Sequence, residues 1–155
     1  MQLPSPNIRL SSIFFFATFL VMLSAPAFAV LGGNVSSVQA DQAHMKAQRR
    51  VTQTLNYTLH EMQDSSGVVV REFVSPEGKV FGVAWQGPAR PDLQQALGSY
   101  YQQFVSAAPQ RRTHGPVSIQ VPGLVLESGG HQRSLTGRAY VPEMVPENVK
   151  LEEIK

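Results

Sequence analysis

Cysteine is absent from this 155-residue chain. That excludes disulfides, thiolate metal sites, a thiol nucleophile and the attachment point of a bacterial lipoprotein's lipid. Charge is sparse too, with 13 Lys and Arg against 11 Asp and Glu and a formal net charge of +2. The only basic pairs are Arg49 with Arg50 and Arg111 with Arg112. A nucleic-acid binder needs a basic stripe that neutralises several phosphates, so nucleic acid is excluded as a partner. No Ser stands in G-x-S-x-G and there is no G-x-x-x-x-G-K-[ST] loop, while Gly32 and Gly33 lack the strand-to-helix setting of a dinucleotide site. His44, His60, His114 and His131 form no compact zinc pattern. Neither a cofactor nor a metal is expected.

Long apolar runs are also lacking, with one exception. Ile13 to Leu23, interrupted by Thr18, follows Arg9 and leads to Ala27, Phe28 and Ala29. A charged start, an apolar core and a small-x-small end are the parts of a secretory signal peptide, with cleavage after Ala29 and a mature chain from Val30. A membrane-spanning helix needs ~20 apolar residues. This run is shorter and is followed by Pro26, so no stable membrane span is expected once the signal is removed. The destination is the periplasm or the medium. Domain boundaries follow: a signal peptide over 1–29, a single domain over 30–141, and a flexible or loosely docked tail over 142–155.

Within the domain, Leu31 to Asn34 read as a flexible entry, and Ser36 with Gln39 has the form of a capping box opening a helix from about Ser37 to Arg50. From Leu55 the apolar period becomes two. Strands are expected over Leu55 to Met62, Val68 to Val74 and Lys79 to Gln86, with tight turns at 64–67 and 75–78. Pro91 suits the first position of a second helix, in which Leu93, Ala96, Leu97, Tyr100, Phe104 and Ala108 make one apolar face. After a polar loop from Ala108 to Gly115, strands are expected over Val117 to Val121, Leu124 to Ser128 and Gln132 to Val141, with Gly129 and Gly130 turning the chain between the last two. The same placement makes Ser128 to His131 a hairpin turn and not a nucleophile elbow. This order specifies an α+β domain: an antiparallel sheet of about six strands in two meanders, one amphipathic covering helix and an N-terminal helix.

If each turn pairs its flanking residues directly, Leu59 faces Glu72 and Glu72 faces Phe81, while His60 faces Arg71. Glu61 and Glu72 then share a face on a diagonal of about 7 to 8 Å. Two carboxyl groups at that separation can serve a glycosidic hydrolysis, with His60 or Arg71 nearby. The favoured expectation is the structural one, in which Glu72 pairs with an arginine such as Arg138 or lies near a sheet end, and a one-residue slip would reverse the faces. Trp85 reads first as a core residue and second as a wall of a ligand groove, with His131 and Arg138 as further candidate ligand contacts.

The segments Val30 to Gly33, Tyr57 to Glu61, Val70 to Pro76, Val80 to Pro88, Pro91 to Leu93, Glu127 to His131 and Gly137 to Pro142 together resemble an exported proteobacterial family known as domain of unknown function 2844. The resemblance spans nearly the whole mature chain and implies bacterial export and a single domain. It brings no catalytic residues. The leading expectation is a non-catalytic binding or accessory domain whose partner is an unidentified envelope protein or small ligand. The alternatives are an exported hydrolase using Glu61 and Glu72, and a structural subunit that assembles through its sheet edges.

Overall fold

Asn34, not Ser36, starts the first helix. In the computed structural model, which describes residues 31–108 and 115–155, the Asn34 side chain accepts from the backbone N–H groups of Ser36 at 3.1 Å and Ser37 at 3.3 Å. Helix α1 therefore spans Val35–Met45. It stops earlier than expected because Lys46 turns left-handed at φ 49°. The Ala47 N–H then reaches the Gln42 carbonyl and the Lys46 N–H that of Ala43, as in a Schellman end. Replacing Asn34 with Ala should cost about 1 kcal/mol, measurable by urea unfolding. An unchanged midpoint would show that the Ser37 hydroxyl, which donates to the Asn34 carbonyl, suffices to hold this end.

Residues expected to continue that helix form a strand instead. The seven strands are β1 (Gln48–Gln53), β2 (Thr58–Gln63), β3 (Val69–Val74), β4 (Val80–Gly87), β5 (Val117–Val121), β6 (Leu124–His131) and β7 (Ser134–Tyr140). They make one antiparallel sheet in the order β1-β2-β3-β4-β7-β6-β5. The α+β class holds, and the sheet has one strand more than expected. β1 was hidden because it is an edge strand with five of its six residues exposed, leaving no apolar alternation to read. The two meanders join where β7 pairs with β4. The chain leaves β4, crosses one face through helices α2 (Leu93–Leu97) and α3 (Tyr101–Ala107), and re-enters at the far edge.

The expected single covering helix is divided at Gly98, which takes φ 48° and ψ −116°. Asp92 caps α2, accepting from Gln94 N at 2.9 Å and Gln95 N at 3.2 Å, so Pro91 lies outside the helix. Leu97 and Ala96 pack with Val70, Val83, Trp85, Leu124 and Leu126 in the main core, joined by Leu31 and Val38. Leu31 is fully buried, and its neighbours are stitched to β4 by Gly32 N to Val80 O and Val80 N to Gly33 O. The stretch expected to be a flexible entry is thus part of the fold.

The opposite face carries a smaller core of Phe73, Phe81, Ala84, Val125 and Tyr140. Residues after β7 cross it and bury Val149 and Ile154. Ile154 seats over Gly82, where an added Cβ would lie 3.3 Å from its methyl group. The segment expected to be a flexible or loosely docked tail therefore closes a core. The signal-peptide reading of 1–29 and residues 109–114 of the expected polar loop lie outside the described residues.

Candidate functional site

The geometry of the site is set by two turns. At the first, Asp64 joins the closing pair, its N–H bonding Val68 O while its carboxylate accepts from Val68 N at 3.0 Å and Ser66 N at 2.8 Å. That moves the β2–β3 pairing by one residue. Leu59 now faces Phe73, His60 faces Glu72 and Glu61 faces Arg71. At the second turn Ser75 pairs with Lys79, and a bulge after Phe73 moves the pairing again, so that Glu72 faces Val83.

One slip is enough to separate the expected carboxyl pair, because successive strand residues point to opposite faces. Glu61 lies on the face crossed by the C-terminal segment, ion-paired to Arg71 with Nε to Oε2 at 2.7 Å. Glu72 lies under the helices and is 1% exposed. The two do not form the diagonal pair that the hydrolase expectation requires. Glu72 is not paired with Arg138 either, since Arg138 Nε bonds Glu127 Oε2 at 2.8 Å.

On the face crossed by the C-terminal segment, one row of cross-strand partners runs Arg50, Glu61, Arg71, Ala84, Arg138, Glu127, Ser118. Both arginines flank the small, buried Ala84, and each is oriented by a carboxylate on the strand beyond. Their Nη1 groups turn to the C-terminal segment: Arg138 donates to Leu151 O at 2.6 Å and Ile154 O at 3.4 Å, and Arg71 to Lys155 O at 3.4 Å. Beside this clamp opens a groove of about 910 Å³. Its walls include Tyr57, Leu59, Trp85, Gln86, Pro116 and Thr136 together with both arginines. That volume lies within the range of small-molecule sites. Burial and Glu153, which accepts from the Tyr57 hydroxyl at 3.2 Å, hold that phenol's pKa above its ordinary value.

Trp85 takes its place in the main core, the first of the two expectations for it. Its indole is 2% exposed in the main core, yet the residue lines the groove, and its Nε1 has no partner among the described residues. His131 ends β6 opposite Ser134, exposed and away from the groove. The hairpin turn there falls on Gln132 and Arg133, the latter at φ 65°, so Gly129 and Gly130 belong to β6.

A second polar cluster lies buried on the helix side. Glu72 is hydrogen-bonded to Asp41 of α1, which also accepts from Gln95 Nε2 of α2. Burial first, then the Asp41 carboxyl, push the Glu72 pKa well above its ordinary value. His60, beside Glu72, is held below its ordinary value by burial and by Arg49. One buried oxygen of Glu72, His60 Nδ1 and Arg49 Nη1 have no partner among the described residues. The cluster joins α1, α2 and the sheet but gives a substrate no access to Glu72. Asp41 was missed in the sequence, although it stands three residues after Val38 on the thin apolar stripe of α1, where a carboxylate signals a buried polar contact. Glu127 was missed as well, because only the β6–β7 register shows that it faces Arg138. Among the described residues, no group of three or more His, Cys, Asp or Glu is placed to hold a metal.

A single open sheet, helices on one face and an arginine-lined groove on the other define an α+β domain. Residues 27–154 match the model of the family described as protein of unknown function (DUF2844), and the chain belongs to that family. No curated protein and no solved structure matched the chain. No helix among the described residues is long and apolar enough to cross a membrane.

Proposed function

We propose that the chain is exported, is cleaved after Ala29, and serves in the periplasm or medium as a non-catalytic binding domain whose ligand or partner enters the groove beside Arg71 and Arg138. The observation that carries this reading is the groove itself: about 910 Å³ of space beside two guanidiniums held in place by carboxylates on neighbouring strands. Preoriented polar groups beside apolar walls are what a binding site needs to fix a ligand's orientation. The separation of Glu61 from Glu72 argues in the same direction, since it removes the carboxyl pair on which hydrolysis would rest.

Two measurements test it. The intact mass of protein recovered from the periplasm or medium of a bacterial host should correspond to a chain starting at Val30, and an uncleaved mass would overturn the export part. Mature wild type should retain from envelope extract a ligand or protein that Thr136→Trp, which fills the groove from an exposed position, loses. Equal retention by both proteins would overturn the groove as the site.

A further inference from the structure

We propose that the ligand of this groove is an anionic amphiphile, a single-chain carboxylate or phosphate monoester whose acid head lies beside Arg71 and Arg138 and whose chain lies along Tyr57 and Leu59. This rests on the groove being a binding site and names what that site takes.

The head group follows from the order of charges along the sheet. In the row Glu61, Arg71, Ala84, Arg138, Glu127 the carboxylates stand outermost and the guanidiniums flank the centre. Arg71 and Arg138 are two strand spacings apart, about 10 Å between backbones, with only a neutral residue between them. Each guanidinium carries five N–H donors. Their Nε atoms serve Glu61 and Glu127, their Nη1 atoms serve main-chain carbonyls of the C-terminal segment, and neither Nη2 takes part in those bonds. The place already attracts oxygen acceptors, and although each guanidinium is ion-paired with one carboxylate, an anionic head beside the two can accept charge-assisted hydrogen bonds from the Nη2 groups.

The other charges facing the groove are consistent with this. Glu127 is ion-paired with Arg138, while Glu153, which accepts from the Tyr57 hydroxyl and the Lys150 backbone N–H, is a carboxylate at the Tyr57 end of the groove, so the acid head belongs at the arginines and away from it. Lys155 also lines the groove, and its main-chain oxygen accepts from Arg71 Nη1. Gln86 and Thr136, direct cross-strand partners, are exposed at the groove and add an amide and a hydroxyl for the head group's remaining oxygens. Half-buried Tyr57 and Leu59 supply the apolar wall.

The test titrates the mature protein with decanoate, decyl phosphate, decanol and decylammonium, following the fluorescence of Trp85, the single tryptophan of the chain. Decanoate or decyl phosphate should bind at least ten-fold more tightly than decanol, and the tighter of the two names the head group. Thr136→Glu and Gln86→Glu, both at exposed positions, should each weaken anion binding ten-fold or more, and by more than they weaken decanol binding. Two substitutions are used so that a misfolded variant leaves the other to decide. If decanol or decylammonium binds as tightly as the anions, or if neither glutamate weakens them, the anionic class is overturned while the groove stands as a site. If no probe of any charge binds, the groove reading falls with it.

Discussion

Replacing Gly137 with Ala is expected to destabilise the domain by about 3 kcal/mol, at the upper end of what overpacking a core costs, and to lower its melting temperature by about 10 °C. Gly137 pairs with Trp85 across β4 and β7. An added Cβ there would stand 2.2 Å from Trp85 Cζ2, 2.5 Å from Cε2 and 2.9 Å from the Glu127 carbonyl oxygen. None of these neighbours is the free end of a flexible chain. The indole is packed in the main core, and the carbonyl belongs to the adjacent strand. The glycine is therefore needed for close approach: it lets the largest side chain of the core lie flat across the middle of the sheet.

A second substitution separates the ring from the carbonyl. Trp85→Leu removes the ring atoms that would clash, at its own cost in lost burial. In that background Gly137→Ala should cost under about 1 kcal/mol, so the two changes should be strongly non-additive in a double-mutant cycle read by urea unfolding. Equal costs in both backgrounds would place the conflict at the Glu127 carbonyl instead.

Gly137 illustrates what the sequence did and did not disclose. The apolar run around Phe81, Val83 and Trp85 announced β4, although the bulge after Phe73 leaves Phe81 in the smaller core and the other two in the main one. The spacing of Leu93, Ala96 and Leu97 announced a covering helix, because burial of one side imposes its period on a helix. Pairing was less legible. Whether Asp64 closes the β2–β3 turn or lies inside it depends on its carboxylate accepting from Val68 N, a choice between two local geometries that the residues Asp-Ser-Ser-Gly permit alike. That choice moved Glu61 to the opposite face from Glu72 and with it dissolved the expected carboxyl pair. β1 was unreadable for another reason: an edge strand wet on both sides carries no period. The C-terminal segment, short of apolar residues, is held by Ile154 over Gly82 and by guanidiniums from β3 and β7, partners that only the assembled sheet supplies.

The slip that separated the carboxylates brought Glu72 beside His60, and stability should record it as a pH dependence. Glu72 is surrounded by Asp41 from α1, Arg49 from β1 and His60 from β2. Because burial and Asp41 raise its pKa, the folded state holds this proton more tightly than the unfolded chain does. Its contribution is therefore fully present below the ordinary value of 4.5 and is lost as the pH rises toward the folded value, at up to about 1.4 kcal/mol per pH unit for one proton. His60 acts in the opposite sense. Its pKa is lowered, so its contribution is present above the ordinary value of 6.5 and declines as the pH falls through that value toward the folded one. The two slopes oppose each other in wild type, and a difference measurement isolates the first. Glu72→Gln keeps a donor for the Asp41 carboxylate but has no proton to lose, so its stability relative to wild type should climb as the pH is raised from 4 to 8 in urea unfolding. A difference that stays constant over that range would mean that Glu72 and Asp41 do not hold a shared proton in the folded protein.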